Sequence, residues 1–216
     1  MSTEGTKHIE PCDFALTFDD HAAGSASAVK RFMDLAIGLP ILLATFPFLL
    51  AIAIALKLDS PGPVLFSQER IGRHFRPFKM FKFRTLRHDM PDPHSRYEMC
   101  EDDPRITRVG AFLRSTSLDE LPQLYNVMTG SMSLVGPRPL VEWESRETLR
   151  RHAARFQVKP GITGLSQITV RNSVDLDSRS EVDIEYVRRW SPLLDLEVLL
   201  RTPVYVLTRK AIYPTA

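Results

Sequence analysis

The chain has 216 residues, 16 prolines, two cysteines and a formal net charge of +2. This length suffices for one domain with a hydrophobic core. The near-neutral charge and the lack of zinc-finger spacing argue against a nucleic-acid binder. Cys12 and Cys100 are far apart, so they form no disulfide framework, and such sparse cysteines are typical of a reducing compartment.

The first 28 residues mix small, acidic and polar side chains without a sustained period. We expect a flexible N-terminal tail here. No apolar stretch directly follows a basic start, so the sequence predicts no signal peptide.

Residues 35–56 form a run of 22 without an ionisable side chain. About 20 apolar residues suffice for a helix to cross the bilayer core. Pro47 lies near the middle of the run, where proline removes a backbone hydrogen bond and kinks a helix. The residues alone leave two topologies open: a spanning helix, or a helix that dips in and returns to the same face. In both, the basic residues that follow, including Lys57, Arg70 and Arg73, predict a cytoplasmic C-terminal side.

A β-hairpin is predicted after the apolar run. Residues 64–68 have the composition of a short strand, residues 71–73 that of a turn, and residues 78–84 alternate apolar and basic side chains with period two. Lys82 is one of the cations on the second strand. These cations suit lipid phosphates or a nucleotide diphosphate, although a solvated strand edge gives the same pattern.

Two adjacent carboxylates, Asp119 and Glu120, follow a predicted helix that starts within residues 105–113. Residues 115–117 can cap a second helix, whose first turn then carries both carboxylates. A helix N-terminus lowers the pKa of a carboxylate and attracts phosphate. Arg114 and Arg138 bracket the pair, which indicates chemistry on a phosphorylated substrate. Surface charges on a helix are the alternative.

Pro137 and Pro139 flank Arg138 in a loop that follows a predicted short strand, and they restrict its backbone. The patterns farther along the chain predict helices over residues 143–156 and 178–190. They predict a strand over residues 165–170 and an interfacial or core-packing helix over residues 193–212.

Several motifs occur in order over residues 30–213. They read KRFMDLAIGLPILL, SPGPVLFSQERIGR, FKMFKFRTL, DPRITRVGAFLRSTSLDELPQLYNV, GSMSLVGPRP and KPGITGLSQI. Together they closely resemble the bacterial monotopic phosphoglycosyl transferases, in their small catalytic-domain form. The resemblance implies transfer of a sugar-1-phosphate from a UDP-sugar to polyprenyl (undecaprenyl) phosphate, with release of UMP. This reaction is the first membrane step of exopolysaccharide or glycoconjugate synthesis.

The resemblance also assigns roles to residues. Asp119 becomes the nucleophile of a ping-pong reaction with a covalent phosphosugar intermediate, and Glu120 its partner in Mg²⁺ or proton handling; both become Mg²⁺ ligands. Substrate-binding residues would be Arg114, Arg138, Arg171, Lys82 and Pro137. The membrane helix would be re-entrant and broken at Pro47, although Phe46 departs from the small polar residue that relatives often have there.

The expected fold class is α+β, mainly helical. It combines a flexible tail over residues 1–28, a proline-broken re-entrant helix over residues 29–58, and a catalytic domain over residues 59–216 with a small β-hairpin and interfacial amphipathic helices. The expected location is the cytoplasmic face of the bacterial inner membrane, with the bilayer as partner, no nucleic acid, and a homodimer left open. A membrane-anchored scaffold and a metal-dependent hydrolase of nucleotide sugars are the alternatives, and the sugar is not identified.

Overall fold

The computed structural model describes residues 24–89, 103–170 and 175–208. Its first element, helix α1, covers Gly24–Asp59, so it begins five residues before the predicted membrane segment. The bounds of α1 run through both Pro40 and Pro47. Beside Pro47, the Thr45 hydroxyl donates to the carbonyls of Ile41 (2.7 Å) and Leu42 (3.3 Å), a contact that often bends helices. The break at Pro47 stays a prediction.

Helix α1 exposes much of its apolar surface. Leu43 is 66% exposed and Phe46 63%, although both lie at the centre of the apolar run. Within the described residues, α1 is the one helix long and apolar enough to cross a membrane. Soluble domains rarely leave so large a contiguous apolar face in water. The composition and exposure of α1 are therefore those of a membrane-associated helix.

Polar contacts hold both ends of α1 on the remainder of the protein. At the N-terminal end, Lys30 forms an ion pair with Asp195 (2.6 Å), and the Arg31 guanidinium donates to two backbone carbonyls near residue 128. Asp34 is buried, and its carboxylate accepts from the Ser133 hydroxyl and the Leu134 amide. At the other end, the buried Arg84 donates to carbonyls at residues 56, 60 and 61. We call Lys30, Arg31, Asp34 and Arg84 the α1 anchors.

The predicted β-hairpin is confirmed. Strand β1, Leu65–Ile71, pairs antiparallel with strand β2, Pro77–Phe83. Ile71 still belongs to β1, so the turn begins one residue later than predicted and includes a 3-10 segment, Arg73–Phe75. Met80 and Phe83 of β2 are both buried. They are three residues apart, so they lie on opposite faces of the strand, and they belong to different hydrophobic clusters.

The carboxylate pair lies between two helices and in neither of them. Helix α2, Arg108–Ser115, begins after Thr107, whose side chain accepts a hydrogen bond from the Gly110 amide. A single 3-10 turn, Leu118–Glu120, follows, and helix α3 begins only at Gln123. The prediction that the pair lies in the first turn of the second helix is wrong, because Pro122 directly precedes α3. We call Leu118–Glu120 the dyad turn.

Strand β3, Ser133–Val135, pairs parallel with strand β4, Gly161–Thr163. A Cβ atom on Gly161 would lie 2.1 Å from the amide nitrogen of Gly136, so this close pairing requires glycine. The prediction of a strand over residues 165–170 is wrong. These residues form helix α5, Leu165–Thr169, in which the Gly164 carbonyl accepts the first helical hydrogen bonds.

Three further helices complete the fold. They are α4, Glu142–His152, followed by a 3-10 segment, Ala153–Gln157; α6, Leu176–Arg189; and α7, Pro192–Thr208. The largest hydrophobic cluster joins β2, α3, β3, α6 and α7 through side chains such as Met80, Val127 and Tyr186. A second cluster packs Ile52 and Leu56 of α1 against Phe83 and Leu113. The fold is thus mainly helical, as predicted, and it contains a second small sheet besides the predicted hairpin.

Candidate active site

The dyad turn borders a narrow, partly open cleft. The cleft is lined by Arg70, Met80, Lys82, Glu120, Gln123, Arg138, Pro139, Gly161 and Ile162. These residues come from β1, β2, the dyad turn, the start of α3, the loop after β3, and β4. We call this space the dyad cleft. Asp119 is not among its lining residues, but it directly precedes Glu120 on the dyad turn.

Two cations converge on one oxygen of Glu120. The Lys82 ammonium lies 2.7 Å from Oε1, and the Arg138 guanidinium lies 3.3 Å from the same atom. Burial raises the pKa of Glu120, but the charges of Lys82 and Arg138 outweigh it and hold the pKa at about 2. Glu120 is therefore ionised and largely neutralised by its partners at every physiological pH.

Asp119 has a different environment. Its carboxylate accepts no hydrogen bond from the described residues. Burial, followed by the charge of the adjacent Glu120, raises its pKa, and the charges of Lys82, Arg114 and Arg138 lower it; the net result is a pKa of about 6. The sequence predicted a lowered pKa from a helix N-terminus, and this is wrong for Asp119 because it is desolvated beside another carboxylate. Near pH 7 the Asp119 carboxylate is therefore mostly ionised and accepts no hydrogen bond from the described residues.

The Arg138 side chain is half-exposed, but a buried hydrogen bond and two flanking prolines fix its backbone. Pro137 and Pro139 restrict the loop, and the buried Arg155 guanidinium donates to the Arg138 carbonyl (3.0 Å). Arg155 is itself fixed by an ion pair of 2.5 Å with Asp183, which is equally buried. This network places the Arg138 guanidinium over the cleft while its backbone stays rigid.

The structure brings most of the predicted site residues together. Lys82, Glu120 and Arg138 are in direct contact, and Arg114 lies close enough to Asp119 to lower its pKa. Pro137 is buried beside Arg138, and its carbonyl accepts from the Gly161 amide (2.9 Å). Arg171 lies outside the described residues.

Sequence reasoning missed three residues. Gln123 and Arg70 line the dyad cleft, and Arg155 supports Arg138. Gln123 follows Glu120 by three residues, so helical spacing would have placed it on the same face. Arg155 carries no such signal, since it contacts Asp183 only through the tertiary fold.

Asp119 and Glu120 are the predicted Mg²⁺ ligands. The described residues contain no group of three or more His, Cys, Asp and Glu side chains arranged to hold a metal ion. Mg²⁺ often takes one or two protein carboxylates and completes its shell with water and substrate phosphates. Lys82 and Arg138 both contact Oε1 of Glu120, which leaves Oε2 without a hydrogen bond from the described residues. Asp119 and this oxygen therefore fit such a partial donor set.

Comparison with known proteins relates this geometry to a family. The chain matches the family model described as bacterial sugar transferase over residues 25–209. It is 41% identical over 204 residues to the UDP-glucose:undecaprenyl-phosphate glucose-1-phosphate transferase of Escherichia coli (strain K12), an alignment covering 91% of this chain and 44% of that protein. It is 44% identical over 184 residues to the undecaprenyl-phosphate glucose phosphotransferase of Komagataeibacter xylinus, covering 80% of this chain and 35% of that protein.

A shorter relative matches over nearly its whole length. The exopolysaccharide production protein PSS of Rhizobium leguminosarum bv. phaseoli is 42% identical over 196 residues, covering 84% of this chain and 96% of that protein. The chain spans less than half the length of the Escherichia coli and Komagataeibacter xylinus relatives. The family model, however, covers most of the chain and includes every predicted site residue. The chain belongs to the bacterial sugar transferase family.

Proposed function

We propose that this protein transfers a sugar-1-phosphate from a UDP-sugar to polyprenyl phosphate at the membrane and releases UMP. The observation that carries the proposal is the pairing on the dyad turn: Asp119 accepts no hydrogen bond from the described residues, and Glu120 is neutralised by Lys82 and Arg138. The names of the relatives support the same substrates, since they specify undecaprenyl phosphate and, in E. coli, UDP-glucose.

The reaction has two halves. The Asp119 carboxylate attacks the phosphorus that bears the sugar; a bond forms between its oxygen and phosphorus, and the phosphoanhydride bond to UMP breaks. A phosphate oxygen of the polyprenyl phosphate then attacks the same phosphorus, so that the aspartyl bond breaks and Asp119 is regenerated. Such a ping-pong order lets a water-soluble donor and a lipid acceptor use one site in turn.

Cations are needed because the nucleophile and the diphosphate are both anionic. Arg138 is half-exposed above the cleft and presents a planar guanidinium suited to phosphate oxygens. Lys82 lowers the repulsion that Glu120 would otherwise exert on the substrate. Arg114 acts on Asp119 through its charge, and Arg171 remains a proposed fourth phosphate contact.

We assign Mg²⁺ to Asp119 and Glu120, whose free oxygens fit it. When bound, Mg²⁺ would neutralise charge on the diphosphate oxygens. Removal of divalent cations with EDTA should stop UMP release, and added Mg²⁺ should restore it. Full turnover in EDTA would contradict this assignment.

For α1 we propose a re-entrant path on the cytoplasmic face. A spanning helix would separate Lys30 from the catalytic domain by about 30 Å of hydrocarbon. Lys30 instead lies 2.6 Å from an Asp195 oxygen, and Leu56 at the other end is buried against the same domain. In a cysteine-free variant carrying Ser27→Cys, a membrane-impermeant thiol reagent added from the periplasm should leave the new cysteine unlabelled. Labelling in intact cells would show that α1 spans.

The proposed function is tested by UMP release from the purified protein with UDP-sugars, Mg²⁺ and undecaprenyl phosphate. Multiple turnovers should require the lipid, and without it at most one UMP should form for each protein molecule. Sustained release without lipid would show a hydrolase, and no lipid-dependent release with any UDP-sugar would refute the transferase. Asp177→Asn, which removes an exposed carboxylate on α6, is the matched control for changes at Asp119.

A further inference from the structure

The side chain of Gln123 is buried, and no hydrogen-bond partner for it lies within residues 24–89, 103–170 and 175–208. The residue is 2% exposed and lines the dyad cleft, yet its amide makes no hydrogen bond to any described residue. Its polar atoms are not among those that the protein encloses completely, so the exposed remainder faces the cleft. An amide shielded from bulk water and lacking a protein partner is costly unless a ligand supplies the hydrogen bonds.

The chemistry of the cleft indicates which ligand group this is. Of the described residues that line the cleft, Arg70, Lys82 and Arg138 are cationic and Glu120 is anionic. Gln123 is the single lining residue with an uncharged hydrogen-bonding side chain. Cations suit phosphate oxygens, whereas an amide that both donates and accepts suits a hydroxyl or an acetamido group.

The position of Gln123 in the chain indicates which part of a UDP-sugar lies near it. Gln123 opens α3, one helical turn after the dyad turn that carries the proposed nucleophile. In a UDP-sugar, the sugar is attached through one oxygen to the phosphorus under attack, whereas the uracil is separated from that phosphorus by the α-phosphate and the ribose. With the reacting phosphorus at Asp119, the sugar therefore has to lie close to the dyad turn, and Gln123 begins the helix that follows this turn.

We infer that Gln123 hydrogen-bonds the sugar of the bound UDP-sugar and contributes to the choice of sugar. This inference rests on the proposed function. A site built to hydrogen-bond a substrate hydroxyl discriminates strongly against analogues that lack it, because the buried polar group is then left unpaired. Gln123 is thus a specificity residue, distinct from the charged groups that hold the phosphates.

The test compares equilibrium binding of UDP-sugars and of UDP, which has no sugar. Gln123→Met preserves the unbranched shape and removes the hydrogen bonds, and an Asp119→Asn background prevents turnover. UDP-glucose, UDP-galactose and UDP-N-acetylglucosamine are measured against UDP. For the sugars that bind, Gln123→Met should weaken affinity about tenfold while UDP changes less than about twofold. Equal weakening of UDP and UDP-sugars, or no weakening of any UDP-sugar, would overturn the inference.

Thermal melting separates this role from a structural one. Because the amide has no hydrogen-bond partner in the described part of the chain, Gln123→Met should keep or raise the melting temperature, and a lowered melting temperature would overturn the inference. Gln157→Met, an exposed glutamine in the 3-10 segment after α4, is the control and should change neither quantity. If the protein with Gln123 intact binds no UDP-sugar, both the inference and the proposed function fail; if UDP-sugars bind but discrimination is unchanged, only the inference fails.

Discussion

The α1 anchors and the dyad cleft use polar side chains in opposite ways. Arg84 is 6% exposed and gives its hydrogen bonds to carbonyls at the end of α1, and Asp34 accepts two bonds within the protein. In the cleft, Arg138 is half-exposed, and neither Asp119 nor Gln123 has a hydrogen bond to the described residues. The anchors direct most of their hydrogen bonds to other groups of the protein, although Arg84 Nε has no partner among the described residues. The cleft groups leave hydrogen-bonding capacity that a ligand can use.

This difference separates stability from activity. Removing one member of a satisfied buried contact leaves its partner unpaired and destabilises the fold. Removing a group that the protein leaves unpaired should preserve or raise stability, since functional sites are commonly strained. Substitutions of the α1 anchors should therefore lower stability, whereas substitutions in the dyad cleft should lower activity and leave stability unchanged or raised. A variant with large losses of both stability and activity would not fit this distinction.

The largest effect on activity is expected from Asp119→Asn. Loss of the nucleophile should lower turnover by more than about 10³-fold, whereas the control Asp177→Asn should remain active. The assay is UMP release with undecaprenyl phosphate. Turnover of Asp119→Asn within tenfold of the original protein would remove Asp119 from its role.

The same variant should be the more stable protein at pH 8. The pKa of Asp119 is raised to about 6 from an ordinary 3.8, so between these values the unfolded chain ionises first and stability falls as pH rises. Asp119→Asn removes this loss, which is on the order of 1–3 kcal/mol. Melting curves should separate above pH 6 and converge near pH 4. A lower melting temperature for the variant at pH 8 would contradict the burial argument.

An arginine in each region gives a matched pair of substitutions. Arg138→Gln should lower kcat/KM about 100-fold with little change in melting temperature, because the side chain is half-exposed and its ion-pair partner among the described residues is the Glu120 carboxylate. Arg84→Gln should destabilise the protein by about 3 kcal/mol or more, since it leaves α1 carbonyls unpaired. The comparison fails if Arg138→Gln unfolds the protein or if Arg84→Gln melts normally.

Acidification should lower activity through protonation of Asp119. As pH falls through about 6, Asp119 becomes protonated, so kcat/KM should drop about tenfold for each further pH unit. Glu120, with a pKa of about 2, stays ionised through this range. The measurement is initial-rate UMP release between pH 5 and 8. A rate that stays level down to pH 5 would show that Asp119 does not act in its ionised form.

The smallest effect on activity is expected from the Arg155–Asp183 ion pair, which holds the Arg138 backbone. Asp183→Asn loosens Arg155, so kcat/KM should fall about fivefold by displacing the Arg138 loop. If the effect passes through Arg138, the double variant with Arg138→Gln should be no less active than Arg138→Gln alone. Additive losses, measured at a temperature at which both proteins are folded, would indicate an independent structural defect.

Local patterns predicted the parts of this fold that local physics determines. The apolar run predicted α1, and period-two alternation predicted the hairpin with Lys82. The sequence placed Asp119 and Glu120 in the first turn of a helix, whereas they lie in a separate 3-10 turn and the helix begins after Pro122. The capping pattern is compatible with both positions, so it could not decide between them. The strand expected at Leu165 became a helix because Gly161, packed against Gly136, completes the sheet earlier in the chain.

The candidate site was partly predictable for the same reason. Asp119, Glu120 and Arg138 belong to short motifs, so the sequence placed them together. The raised pKa of Asp119 depends on burial by the folded chain, and the Arg155–Asp183 pair joins residues 28 positions apart. Neither follows from spacing, because both depend on tertiary packing.

The central claim is that Asp119 forms a bond to phosphorus. Intact-protein mass spectrometry after mixing with UDP-sugar and Mg²⁺, without lipid acceptor, tests it most directly. The account predicts a mass increase equal to one sugar phosphate, located by fragmentation on the peptide containing Asp119 and removed by undecaprenyl phosphate. The adduct should be absent from Asp119→Asn and present in Asp177→Asn. Lipid-dependent turnover with no adduct at any time, or an adduct that persists in Asp119→Asn, would contradict it.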